Sequence, residues 1–100
     1  MRFQFSSKKL EQLYVSGEGQ RDYPQEVVSA FLRRVRHIEA AKNEQDLRKP
    51  SGVHYEKLKG RYAGKNSMRL NKQWRLILSV EQDSDGKWVE IHDINNHYDA

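Results

Sequence analysis

Between His54 and Arg75 stand Lys57, Lys59, Arg61, Lys65, Arg69, Lys72 and Arg75 against a single acid, Glu56. Residues 48–75 together carry a net charge of +8, residues 76–100 carry −5, and residues 1–47 are about neutral. Basic residues spread through strand-like sequence, rather than gathered in a flexible tail, suit a polyanionic partner such as RNA or DNA. The second group that can do chemistry lies near the C-terminus: Asp93, Asn95, Asn96, His97 and Tyr98. Cleaving RNA without a metal takes three services. One group removes the 2′-hydroxyl proton, cations neutralise the phosphorane, and another group protonates the 5′ oxygen. Arg and Lys can serve the second need, and His, Asp, Lys or Tyr the others. His97 and His92 are the C-terminal residues whose ordinary pKa suits proton transfer near neutrality. The bland reading of His97 is an exposed residue at a fraying end, and His54, at the mouth of the basic block, has a similar one.

Other chemistries find little support. His37, His54, His92 and His97 show neither HxxxH nor HxH spacing, so no metal site is expected. Gly60 and Gly64 flank a short loop but form no Walker A or dinucleotide fingerprint, and no cofactor is expected. No nucleophile-elbow sequence supports a Ser/His/Asp triad. The absence of cysteine removes disulfides and thiolate sites and fits a reducing cytoplasm. The first residues, MRFQFSSKKLEQLY, lack the apolar run of a signal peptide, and no segment is apolar enough to span a membrane.

One hundred residues make one domain, 1–100, with a single modest core. Only 36% of the residues are apolar, yet ten aromatics in periodic sequence argue for folding rather than disorder. Arg2–Phe5 reads as a short edge strand with Phe3 and Phe5 on one face. Ser6 and Ser7 offer cap oxygens to a helix over Lys8–Val15, which Gly17 and Gly19 end. Pro24 suits the first turn of a second helix reaching about Lys42. Its stripe of Val27, Val28, Phe31, Leu32, Val35 and Ile38 is to be buried, with Arg33, Arg34 and Arg36 mostly on the solvated side. A connector over Asn43–Gly52 has room for a helical turn near Asp46–Arg48. Strands are then expected over Val53–Lys59, Ser67–Leu70, Gln73–Val80 and Lys87–Ile94, with reversals at Gly60–Gly64, Asn71–Lys72 and Asp83–Gly86. The sum is an α+β domain: two N-terminal helices on one face of a small, antiparallel-rich sheet.

The other face is then open. Met68 and Leu70 alternate with Ser67 and Arg69, and Trp74, Leu76, Leu78 and Val80 with Gln73, Arg75, Ile77 and Ser79. Arg69 and Arg75 are therefore expected side by side on the solvent face, and Lys57 and Lys59 share a face of their own strand. Tyr55, Tyr62 and Trp74 stand near these cations and can stack on bases, although Trp74 fits the core better.

The segments FSSKKLEQLYVSGE, the Pro-started helix, YEKLKGRYAGKNSMRLNKQWRLIL and VEIHDINNHY follow one another in an order that resembles the HigB-type killer proteins of the RelE/ParE toxin superfamily. The resemblance spans nearly the whole chain. Its most specific part runs from Glu56 to Arg75, with LKG, a following Gly, Ser-x-Arg-Leu and Gln-Trp-Arg. It implies a RelE-like fold and a toxin that enters the ribosomal A site and cuts mRNA there. It also implies a cognate helix-turn-helix antitoxin, HigA-like, whose complex with the toxin binds operator DNA. By position, Lys57, Arg69, Arg75 and Asp93 fall to the catalytic set with His97, while His54, Lys59, Arg61, Lys65 and Tyr98 are expected to hold RNA. The chain departs from the pattern twice. Many relatives place Tyr-His directly after the residue equivalent to Asp93, whereas here Ile94-Asn95 follow and His97-Tyr98 come later. Some relatives carry a His just ahead of LKG, where Glu56 and Lys57 stand here. The proton-transfer group therefore stays open between His97, Asp93 and a Lys. Two other functions remain: a ParE-like inhibitor of DNA gyrase with no nuclease site, and a plain RNA- or ribosome-binding module.

Overall fold

In the computed structural model, which describes residues 1–96, both helices pack on one face of a five-stranded sheet. The strands are β1 (Arg2–Phe5), β2 (Glu56–Lys57), β3 (Asn66–Arg69), β4 (Arg75–Asp83) and β5 (Gly86–Asn95). The helices are α1 (Lys8–Ser16) and α2 (Gln25–Ala40). The order across the sheet is β1-β5-β4-β3-β2. β1 runs parallel to β5 and all other neighbours are antiparallel. Among the described residues no helix is long and apolar enough to cross a membrane.

Local chemistry sets most element ends. Ser7 is extended and its hydroxyl accepts from the amide of Leu10 at 3.2 Å, which starts α1. Gly17, at φ 78°, stops it in the left-handed conformation and returns its N–H to Leu13. The Pro24 carbonyl accepts from Val27 and Val28 as α2 begins. At the other end the Met1 ammonium donates to the carbonyls of Ile38 and Glu39, a positive charge at the negative end of a helix. A short 3-10 turn over Glu44–Arg48 follows, capped by Asn43.

The β4–β5 hairpin turns at Asp83–Gly86. There the Asp83 carboxylate accepts from the amide of Asp85, and Gly86 takes φ 107°. Arg2 grips the same carboxylate at 2.8 and 3.2 Å, which pins β1 beside the hairpin tip. Asn71 reverses the chain between β3 and β4 by accepting from the amides of Gln73 and Trp74. Those amides are thereby taken, and β4 starts at Arg75 rather than at Gln73.

The strand expected over Val53–Lys59 shrinks to Glu56–Lys57. His54 sits at φ 43°, a left-handed conformation that no extended strand can contain. Val53 instead accepts from the Arg69 amide, and Leu58 donates to Lys65. The α2 stripe is buried as its spacing requires, with Val27, Phe31, Val35 and Ile38 fully enclosed against Met68, Leu76, Leu78, Val89 and Ile91. Phe31 also meets the rings of Phe5 and Tyr14 at 6.3 and 6.4 Å. Phe31→Ala should therefore cost about 3–5 kcal/mol of unfolding free energy in denaturant titration; a loss below about 1 kcal/mol would contradict this packing.

Candidate functional site

Strand parity decides which side chains can meet on the face away from the helices. Register pairs Arg69 with Arg75 and Ser67 with Ile77, while Met68 opposite Leu76 points into the core. On β5 the register slips between Ile77 and Leu78: Asp93 lies opposite Ile77, Ile91 opposite Leu78, and His92 has no partner. This is a β-bulge, and its effect can be read from burial. Ile91 and Ile94 both belong to the core although three positions separate them, so His92 and Asp93 between them turn to the opposite face.

At one end of that face Arg75 lies buried, only 7% exposed. Its Nε and Nη2 donate to the Ser67 hydroxyl at 3.1 and 2.8 Å, and Nη2 also donates to the carbonyl of His54. The Glu56 carboxylate is 3.7 Å away. Across the strand pair, Arg69 is half-buried. Its Nη1 donates to Nε2 of the exposed His54 at 3.4 Å, and its Nε donates to the Asn71 carbonyl. A guanidinium only donates, so Nε2 of His54 carries the lone pair in this arrangement. Behind Arg69, its own carbonyl accepts from Arg34 Nε at 3.2 Å. Burial, followed by the neighbouring Arg33, pushes the Arg34 pKa down. Arg34 is thus a strut between helix and sheet, while Arg33 and Arg36 stay exposed.

The open placement expected for Arg75 needs correction: it shares a face with Arg69, but the segment through His54 closes over it. Lys57 is also moved. It pairs with Asn66, on the Met68 side of β3, so it leaves the Arg69–Arg75 face. It lines a hollow of about 1150 Å³ with Met1, Lys42, Glu44, Arg48 and Lys87. That hollow carries both signs of charge, with Lys87 3.3 Å from Glu44, and lacks the imidazoles and guanidinia of the sheet face. Lys59 and Arg61 are exposed around a 3-10 turn at Gly60–Tyr62, and the Arg61 guanidinium lies 5.3 Å from the Tyr62 ring. Asn95 donates to the Tyr62 hydroxyl at 2.8 Å, tying this loop to β5 beside Arg75. Trp74 packs against the core and meets Tyr23 edge-on at 5.8 Å. Tyr55 also packs inward, under Arg48, and burial raises its pKa to about 12. Asp93 is exposed, and His97 and Tyr98 lie outside the described residues.

In the sequence His92 is distinguished only by an ordinary pKa suited to proton transfer near neutrality. The structure places its Nε2 2.8 Å from the Ser79 hydroxyl, which is 2.7 Å from a Glu81 carboxylate oxygen. Burial lowers the His92 pKa, with Lys65 adding to the effect and Glu90, Glu81 and Asp93 opposing it. The signal present in the sequence was the slip from Ile91 to Ile94 in apolar period.

Because the Arg75 guanidinium holds buried partners, Arg75→Ala should cost roughly 2–4 kcal/mol of stability by leaving the Ser67 hydroxyl and the His54 carbonyl short of a donor. Arg69→Ala, at a half-exposed position, should cost under about 1 kcal/mol. Urea melts of the two variants check the contrast, and equal losses would refute the burial difference.

The chain as a whole matches known proteins. The family described as RelE-like toxin of type II toxin-antitoxin system HigB matches residues 3–96. Toxin HigB-1 of Vibrio cholerae is 35% identical over 99 residues, covering 99% of this chain and 96% of that protein. Among solved structures, the YoeB/ParE toxin from Agrobacterium tumefaciens superposes with a TM-score of 0.66 at 18% identity, over 98% of this chain and 100% of the other. The YoeB–YefM complex from Staphylococcus aureus gives 0.60 at 19% identity, over 98% of each chain.

Proposed function

Since the chain belongs to the RelE-like HigB toxins of type II toxin–antitoxin systems, we propose that it acts as a metal-independent endoribonuclease that cuts mRNA on the ribosome. The observation that carries this reading is the juxtaposition of Arg69, the His54 imidazole and the anchored Arg75 at one end of a sheet face. Arg69 is the guanidinium with room to meet a phosphate, and a planar fork suits the equatorial oxygens of a phosphorane. Arg75 acts from behind, by holding the His54 backbone. Lys59, Arg61 and Lys65 supply further positive charge for the RNA strand. Asp93 and His97 are the candidates for a proton to the departing 5′ oxygen, and Tyr98 and Lys57 are assigned to RNA beyond the reacting phosphate.

So few reacting groups need a substrate held in place, and the ribosomal A site supplies that orientation. The toxin works in the cytoplasm, where translating ribosomes are. Its partner is a HigA-like helix-turn-helix antitoxin, which covers part of the basic face or holds α2, and operator DNA is met only through that complex.

Expression without the antitoxin should arrest growth and produce new mRNA 5′ ends within translated frames. Purified protein should leave naked RNA nearly intact at physiological salt. Intact messages together with blocked replication would instead indicate a ParE-like gyrase inhibitor, and tight ribosome binding with no new ends a plain binding module. His97→Ala should slow cleavage on ribosomes about 10²–10⁴-fold with binding unchanged; full activity there, with loss in Asp93→Ala, gives the role to Asp93.

A further inference from the structure

The hydrogen-bond chain at the bulge has a defined direction. A serine hydroxyl has one proton, and an ionised carboxylate only accepts. The Ser79 proton therefore goes to Glu81 at 2.7 Å, and the 2.8 Å contact with His92 must be a bond donated by Nε2–H to the Ser79 oxygen. That fixes the tautomer: Nδ1 of the neutral ring holds a lone pair turned away from Ser79. Ser79 is 3% exposed on the central strand of the sheet, so the anchor is rigid, whereas His92 is half-exposed. The bulge turns His92 onto the Arg69–Arg75 face, and Ile94, buried in the core, cannot take its place.

On the cleavage reading above, we propose that His92 is the general base of the reaction, with Ser79 and Glu81 as its positioning residues. Nδ1 takes the proton of the ribose 2′-hydroxyl. The O2′–P bond forms while the P–O5′ bond breaks, and the 5′ oxygen leaves as a hydroxyl with a proton from the acid proposed above, Asp93 or His97. The upstream fragment ends in a 2′,3′-cyclic phosphate, and the imidazolium's proton returns through water to the acid left deprotonated. Glu81 stabilises that imidazolium through Ser79. The charged groups around the ring are Glu81 on β4, Glu90 and Asp93 on β5, and Lys65 just before β3. Lys65, the one cation among them, can join Arg69 in holding the phosphate.

Single-turnover cleavage on programmed ribosomes, at saturating protein and across pH, tests the assignment. Wild type should lose rate as pH falls through an acidic limb lying below about 6.5, because a protonated ring is no base and the His92 pKa lies under its usual value. His92→Gln should be slowed about 10²-fold or more and lack that limb, with ribosome binding unchanged. Glu81→Gln, a substitution at a half-exposed position that spares the fold, removes an anion favouring the imidazolium and should move the limb to lower pH. In ¹⁵N-histidine spectra of the isolated chain, His92 should show the Nε2–H tautomer. His92→Gln cleaving like wild type, a limb unmoved in Glu81→Gln, or the Nδ1–H tautomer each overturns the proposal. If wild type itself leaves ribosome-bound mRNA whole, the nuclease reading fails and the base assignment with it, a result distinguished by its appearance before any substitution.

Discussion

The buried guanidinium of Arg75 is the contact on which the arrangement of the basic face depends. A charge taken from water is tolerated only when its donors are satisfied. Here the Ser67 hydroxyl and the His54 carbonyl meet that need, with Glu56 nearby. The His54 carbonyl can reach inward because its backbone adopts φ 43°, a conformation costly for a residue with a Cβ. The same turn leaves the imidazole outside, against Arg69. One buried cation thus fixes the loop, its strained residue and the position of the neighbouring guanidinium.

The bulge on β5 has a comparable role at the other side of the face. Without it, strict alternation would place only one of His92 and Asp93 beside Ile77 and Ser79. The extra residue keeps Ile91 and Ile94 in the core while presenting both polar side chains together. The helices take no part in these contacts, apart from Arg34, whose bond to the Arg69 carbonyl fastens α2 to the rim of the face.

Much of the architecture is legible in the sequence because its causes are local. The two-residue period of Phe3 and Phe5, the Ser7 cap, the α2 stripe and the Asp83–Gly86 turn each involve neighbours along the chain. The pairing of Arg69 with Arg75 follows equally from alternation about a tight reversal. What alternation cannot supply is what lies on top of a face. The burial of Arg75 requires knowing that residues near His54 fold back over it, a long-range fact, and the short β2 follows from the same fold-back. Lys57 leaves the face because the pairing of β2 with β3 sets its side. The Glu81–Ser79–His92 chain depends on register between two strands and on a one-residue slip. Family resemblance likewise points to the residues after Asp93, yet the first of them, Ile94, is committed to the core.

The separation of charge along the sequence acquires a direction once the strands are aligned. Arg69, Arg75 and His54 lie where β4 begins and β5 ends, while at the opposite tip of the same hairpin Asp83 and Asp85 are offset by Arg2 and Lys87, with Glu81 and Glu90 part-way along. With its neighbours the hairpin therefore carries its charge unevenly, a dipole with one basic end lying along β4, which is roughly 30 Å long at 3.4 Å per residue. In the field of a polyanion such a body experiences a torque as well as an attraction, so that it arrives basic end first and productive encounters are enriched before any contact forms. That alignment fades as ionic strength rises and the Debye length shrinks below the dipole's own dimensions.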